Sequence, residues 1–161
     1  MKKFSIGLLI VALLVPLLVG GISAALSAKG MATYGTMSKP PLSPPAWAFS
    51  VAWTILYIMM GLASYFILAS VDDNRSKAMA LIIYAIQLFM NFMWSIMFFN
   101  WELYLAAFIW LVIMWGMVII CAFRFYSINR LAAYLLIPYI LWLTFAAYLN
   151  LGAYILNARG R

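Results

Sequence analysis

The sequence has no histidine, three acids (Asp72, Asp73 and Glu102) and one cysteine in 161 residues. Without histidine, the commonest general base at neutral pH and the commonest metal ligand are missing. The three acids all fall between the apolar runs, which leaves no paired carboxylates for acid–base chemistry inside them. Cys121 alone forms no intrachain disulfide and carries no information about redox compartment. Charge of either sign is scarce, at 8% of the chain against 69% hydrophobic residues. A soluble domain carries about 25% charged residues, so a soluble fold is excluded and the chain reads as an integral membrane protein. The net charge of +7 does not point to nucleic acid, because the ten basic residues are scattered between and outside the apolar segments. Those are the positions that lipid headgroups and topology signals occupy.

What the chain does have is long apolar runs. Five can be counted, at about 4–26, 47–70, 78–99, 103–125 and 131–156. Each is near or above the roughly 20 residues that cross a hydrocarbon core of about 30 Å as a helix. The expected fold class is therefore all-α, a five-helix transmembrane bundle that makes up the whole chain as one domain. The first run resembles a signal peptide in outline, but its apolar stretch exceeds the usual ~7–15 residues of such segments. Gly20 and Ala24, and Gly21 and Ala25, also read as a helix-packing face. Retention as a membrane helix is the expectation.

Three connections are short: Val71–Lys77, Asn100–Glu102 and Arg124–Arg130. The fourth, 27–46, is about 20 residues long and rich in proline, glycine, serine and threonine. Long loops in compact proteins are commonly functional lids. Pro40, Pro41, Pro44 and Pro45 stiffen this one and Tyr34 lies within it, so it is expected to act as a lid. With five spans, Lys2, Lys3, Arg75, Lys77, Arg124 and Arg130 share one side of the membrane, and Lys29, Lys39, Arg159 and Arg161 the other. Six against four predicts a cytoplasmic N-terminus.

Polar and flat aromatic residues recur inside the runs. Gln87, Asn91 and Ser95 follow one another every four residues and share a helical face, with Tyr84 and Trp94 beside it. Trp53 and Tyr57 lie one turn apart, as do Trp142 and Ala146, and Pro138 is expected to bend or weaken the start of the fifth helix. Amides between membrane helices often only hold helices together. Tryptophans near span ends often form an interfacial belt, which accounts for Trp47, Trp101 and Trp110. For Trp53, Trp94 and Trp142, spacing alone leaves pocket lining and structural packing open. Together these residues suggest a cavity with aromatic walls and a few amides, suited to a large, planar, apolar ligand with polar edges.

Three blocks in order then resemble one family. "KPPLSPPAWAFSVAWTILYIMMGLASY", "QLFMNFMWSIMFF" and "IPYILWLTFAAYLNLGAYILN" are similar to the signatures of the translocator protein family, also called tryptophan-rich sensory proteins or peripheral benzodiazepine receptors. The chain looks like a bacterial-type member, and the resemblance runs from about Gly30 to Asn157. It implies a five-helix bundle, frequently a homodimer, whose cavity is capped by the first long loop and takes porphyrins, sterols or synthetic benzodiazepine-type ligands. Carried over residue by residue, the cavity would use Tyr34, Pro44, Trp53, Tyr57, Gln87, Asn91, Trp94, Trp142 and Ala146. The family's sterol pattern is matched by Leu151, Tyr154 and Arg159, a weak motif that many apolar helices satisfy.

Where many relatives have an aromatic residue immediately before Tyr34, this chain has Thr33. The lack of histidine leaves haem only unusual axial ligands, so protoporphyrin IX is the better expectation and no cofactor is required. The expected role is a receptor or sensor in the bacterial cell membrane. The alternatives are light-dependent porphyrin degradation using Trp53 and Trp142, or transport of porphyrin or lipid. Without inverted repeats or matched broken helices the chain does not look like an alternating-access carrier.

Overall fold

The computed structural model describes residues 5–157. Among them every regular element is helical: α1 (Ile6–Leu26), α2 (Ala28–Tyr34), α3 (Ala46–Leu68), α4 (Asn74–Ser95) continued by a π-helical turn (Ile96–Asn100), α5 (Tyr104–Ile128), α6 (Arg130–Tyr134) and α7 (Ile137–Asn157). Five stretches are long and apolar enough to cross a membrane: α1, α3, α4 with its π turn, α5, and α6 with α7. Lys2, Lys3, Arg159 and Arg161, used in the topology and sterol-motif expectations, lie outside the described residues.

Local chemistry sets the helix ends. The Asp73 carboxylate accepts from the Ser76 backbone N–H at 3.1 Å and caps α4. The Asn129 side chain accepts from Ala132 N at 3.1 Å and caps α6. Pro45 occupies the cap position of α3, where a missing N–H is harmless. Pro138 is the second residue of α7, and the chain breaks its helix just before it, at Leu135–Leu136. The expected weakness at Pro138 is thus a two-residue turn between α6 and α7, still bridged by backbone hydrogen bonds.

One expectation is corrected here. Part of the loop at 27–46 is helical: α2 lies against the π turn at the end of α4. Gly30 makes this possible, because a Cβ there would strike the Phe99 carbonyl. The small residues Gly61 and Ser64 are used in packing inside the chain. A Cβ on Gly61 would lie 2.8 Å from Leu13 Cα of α1, and Ser64 is buried.

The core runs through the centre of the bundle. α1 packs along α3 and touches α4, and α5 is wedged between α4 and α6–α7. Small residues on α1 (Ala12, Pro16, Gly20 and Ser23) face inward and let the helices approach closely. Trp47 and Trp101 are exposed, as an interfacial belt requires. Trp110 is not part of that belt: it is half-buried, and its Nε1 donates to the Met90 carbonyl at 2.8 Å, tying α5 to α4.

Candidate ligand site

At mid-bundle, α3, α4 and α7 are joined by a chain of side-chain hydrogen bonds. The Tyr57 hydroxyl donates to Asn91 Oδ1 at 2.7 Å, and Asn91 Nδ2 donates to the Tyr139 hydroxyl at 2.9 Å. One turn further along α4, Trp94 Nε1 donates to Asn150 Oδ1 at 3.0 Å, while Asn150 Nδ2 donates to the Tyr104 carbonyl at 2.8 Å. All but Tyr104 of these side chains are buried. In a hydrocarbon setting an unpaired amide is costly, and here both functional groups of each asparagine are satisfied. Asn91 and Asn150 therefore lock the helices at fixed separations.

α3 reaches α7 through aromatic side chains. Trp53 contacts the rings of Tyr57, Trp94, Tyr139 and Trp142, with centroids 5.6, 6.3, 6.1 and 6.3 Å away. Phe49 bridges Tyr34 to Trp142, at 5.7 and 5.9 Å. Edge-on arrangements predominate, as ring quadrupoles favour.

Three spaces surround this aromatic cluster. An inner cavity of about 220 Å³ lies between α1, α2, α3 and α4, lined by Gly20, Phe49, Trp53, Tyr57, Asn91, Trp94 and Phe99 among others. Gly20 is required there, since a Cβ would collide with the Tyr57 ring. A groove of about 440 Å³ runs between α3 and α7 on the outer surface, lined by Ala52, Leu56, Pro138, Trp142 and Phe145 among others. A void of about 20 Å³ under the loop touches Tyr34, Phe98, Ala146 and Asn150.

The proline segment is fastened across one end of the bundle. Asn157 grips the Ser38 backbone from both sides, accepting from Ser38 N at 3.3 Å and donating from Nδ2 to Ser38 O at 2.9 Å. The Tyr148 hydroxyl donates to the Pro41 carbonyl at 2.9 Å, and Pro40 is buried over Gly152. Lys39 lies above the Tyr34 ring, with Nζ 5.0 Å from its centroid, and donates to the Gly35 carbonyl at 3.2 Å. Partial burial raises the Tyr34 phenol above its ordinary value of 10.0, opposed by a hydrogen bond with Ser43. Tyr34 is therefore neutral at physiological pH, a half-buried ring under a cation.

The residues expected from sequence divide among these places. Trp53, Tyr57, Asn91 and Trp94 line the inner cavity, Trp142 lines the outer groove, and Tyr34 and Ala146 meet under the loop. Gln87 and Pro44 line none of these spaces. Gln87 is fully buried one turn beyond Asn91, with Nε2 3.9 Å from Met60 Sδ and its Oε1 unpaired. Pro44 is half-buried within the loop. Leu151 is exposed on α7, Tyr154 is half-buried, and Arg159 lies outside the described residues. Sequence reasoning missed Phe49, Phe98 and Phe99, which join the loop to the cluster. It also read Gly20 as a packing residue only.

An all-helical bundle with five membrane-length apolar stretches and an aromatic interior defines an integral membrane protein with a small cavity among its helices. Residues 12–156 match the TspO/MBR family, and the chain belongs to it. It is 37% identical over 117 residues to the tryptophan-rich protein TspO of Chlorobaculum tepidum, covering 73% of this chain and 74% of that protein. It is 37% identical over 139 residues to the translocator protein of Sus scrofa (85% and 82% covered) and 31% identical over 137 residues to protein CrtK of Rhodobacter capsulatus (85% of each).

Proposed function

We propose that the chain is a membrane receptor and sensor for a flat, hydrophobic ligand of the tetrapyrrole class, with protoporphyrin IX preferred over haem. The observation that carries this reading is the inner cavity walled by the Trp53, Tyr57 and Trp94 rings, with the Asn91 amide among its lining. At about 220 Å³ the cavity is smaller than the ~300–1,000 Å³ usual for ligand pockets. A tetrapyrrole therefore needs Trp53 and Trp142 to part, joining the cavity to the outer groove. The Trp142 Nε1, buried without a hydrogen-bond partner, then gains an acceptor from the polar edge of the ligand. A sterol-like ligand fits the same apolar walls but makes less use of the stacked rings. The basic residues between its spans favour a cytoplasmic N-terminus in a bacterial cell membrane, and if it forms a homodimer it does so without Gly61 and Ser64, which pack inside the chain.

Titrating the detergent-purified protein with protoporphyrin IX tests the proposal. Saturable quenching of tryptophan fluorescence with a matching shift of the porphyrin absorbance supports it. Quenching that is non-saturable, or equal for an unrelated membrane protein, sinks it.

A second reading, light-driven porphyrin breakdown, is favoured by the direct contact of two oxidisable indoles, Trp53 and Trp142. Illumination of the complex in oxygen should then yield a new tetrapyrrole absorbance that disappears in Trp53→Phe or Trp142→Phe. No new absorbance in the intact protein would reject it.

A further inference from the structure

The helix break before Pro138 leaves a second concavity, on the outer surface between α5 and the α6–α7 pair. It measures about 340 Å³ and belongs neither to the aromatic cluster nor to the loop. Its walls are two ladders at helical spacing: Ala122, Phe123 and Tyr126 on α5 face Ala133, Tyr134 and Ile137 on α6 and α7. Alanines form its floor, and exposed Phe123 and Tyr134 stand at its rim.

Arg130 heads this groove. It precedes Ala133 and Tyr134 by three and four residues and so continues the same row on α6. Its guanidinium carbon lies 5.5 Å from the Tyr126 ring centroid, and the Tyr126 and Tyr134 rings are 6.2 Å apart. Among the described residues, no carboxylate pairs with Arg130. Two tyrosines and a cation therefore mark the interfacial end, where such residues concentrate. The apolar ladder runs about 10 Å inward from there, over the two turns of α5 between Tyr126 and Ile119.

We propose that this groove binds an anionic phospholipid, with one acyl chain along the ladders and the phosphate against Arg130. The charge pattern selects this occupant. A sterol or a zwitterionic lipid leaves the cation without a matching net charge. A second copy of the chain would have to bring an acid to Arg130. Of the acids on the same end of the bundle, Asp72 accepts from the Asp73 N–H at 2.7 Å and Asp73 caps α4. Glu102 lies at the opposite end, between α4 and α5. Basic pockets between membrane helices bind anionic headgroups by this chemistry. The site is remote from Leu151 and Tyr154, which occupy the far end of α7.

Native mass spectrometry of the full chain with equal dioleoyl phosphatidylglycerol and dioleoyl phosphatidylcholine tests the site. The expected result is preferential retention of the glycerol lipid by about fivefold, the contribution of one interfacial cation. That preference should disappear in Arg130→Gln and persist in Arg130→Lys. It should also persist in Arg124→Gln, because it is the Arg130 guanidinium that stands against the groove-lining Tyr126 ring. Ala122→Leu, which fills the floor, should lower retention of the glycerol lipid. Equal retention of both lipids by the unaltered protein, or an unchanged preference in Arg130→Gln, would overturn the proposal. So would efficient disulfide cross-linking of two copies through Phe123→Cys in membranes, because a second chain would then cover the groove.

Discussion

The indole of Trp53 meets that of Trp142 edge-on, centroids 6.3 Å apart and planes at 83°. Trp53 faces the inner cavity and Trp142 the outer groove, so the pair is the partition between them. Their backbones belong to α3 and α7, which touch here through rings, and a ring contact can part by rotamer change without unpacking a helix. If the cavity takes the proposed ligand, this one pair of side chains is placed to act as both wall and gate.

Removing either indole should therefore weaken binding and ease access at once. Trp53→Ala is expected to raise the Kd for protoporphyrin IX by about tenfold or more, the scale of a central aromatic anchor. Trp142→Ala should have a smaller effect on Kd but speed association, because it opens the groove side. Porphyrin absorbance in stopped flow reads both without relying on the deleted fluorophores. Equal, small effects of the two substitutions would remove the partition from the account.

Asn91 has a different role, as a fastener. Replacing it with leucine strands the Tyr57 hydroxyl and leaves the Tyr139 hydroxyl only its weak donation to Met114 Sδ at 3.9 Å. At about 0.6 kcal/mol for an average interhelical hydrogen bond in a membrane, and up to about 1.7, the loss should reach about 1–2 kcal/mol. Reversible unfolding in mixed micelles measures it. A double-mutant cycle between Asn91→Leu and Tyr139→Phe should show non-additivity, since the two share one bond. Strict additivity would mean that the bond contributes nothing.

Much of this was legible in the sequence, and the rest failed for identifiable reasons. Length and hydropathy were enough for five membrane-crossing stretches, because helices are the only open-ended way to satisfy backbone groups in lipid. Helical spacing correctly put Asn91 and Ser95 on the face that meets the inner cavity. The same spacing carried Gln87 along, although α3 closes over it with Met60. Periodicity fixes a face but not how far along it a cavity extends. α2 escaped notice because "AKGMATY" is short and contains glycine. Its helix is held by distant contacts, Gly30 on the Phe99 carbonyl and Tyr34 among the rings of Phe49, Phe98 and Phe99. Trp110 looked interfacial because proximity to a span end does not reveal the Met90 carbonyl across the helix gap.

The loop should control how fast a ligand leaves. Pro40 rests where a Cβ on Gly152 would be, so Gly152→Leu should lift the segment, and Asn157→Ala should release Ser38. Each is expected to speed protoporphyrin IX dissociation by about tenfold with little change in association, as when a lid is loosened. Gly7→Ala and Gly116→Ala, where added methyl groups meet open space, should leave both rates unchanged. If the two sets of variants behave alike, the fastened loop is not a lid.

The start of α4 predicts a pH dependence with a definite sign. Backbone N–H groups of Ser76 and Arg75 hold the Asp73 carboxyl below its ordinary value of 3.8. A depressed folded-state value means that the ionised cap stabilises the helix fully above the unfolded value. That contribution is lost as pH falls through the still lower folded value. At pH 7, Asp73→Ala should lower the Tm in detergent, and the gap to the unaltered protein should narrow as the pH drops below about 4. Asp73→Asn keeps a cap of similar quality without the charge, so its Tm should stay close to the unaltered protein at pH 7 and lose less on acidification. A gap between Asp73→Ala and the unaltered protein that stays constant down to pH ~2 would show that the ionised carboxylate is not what stabilises the cap.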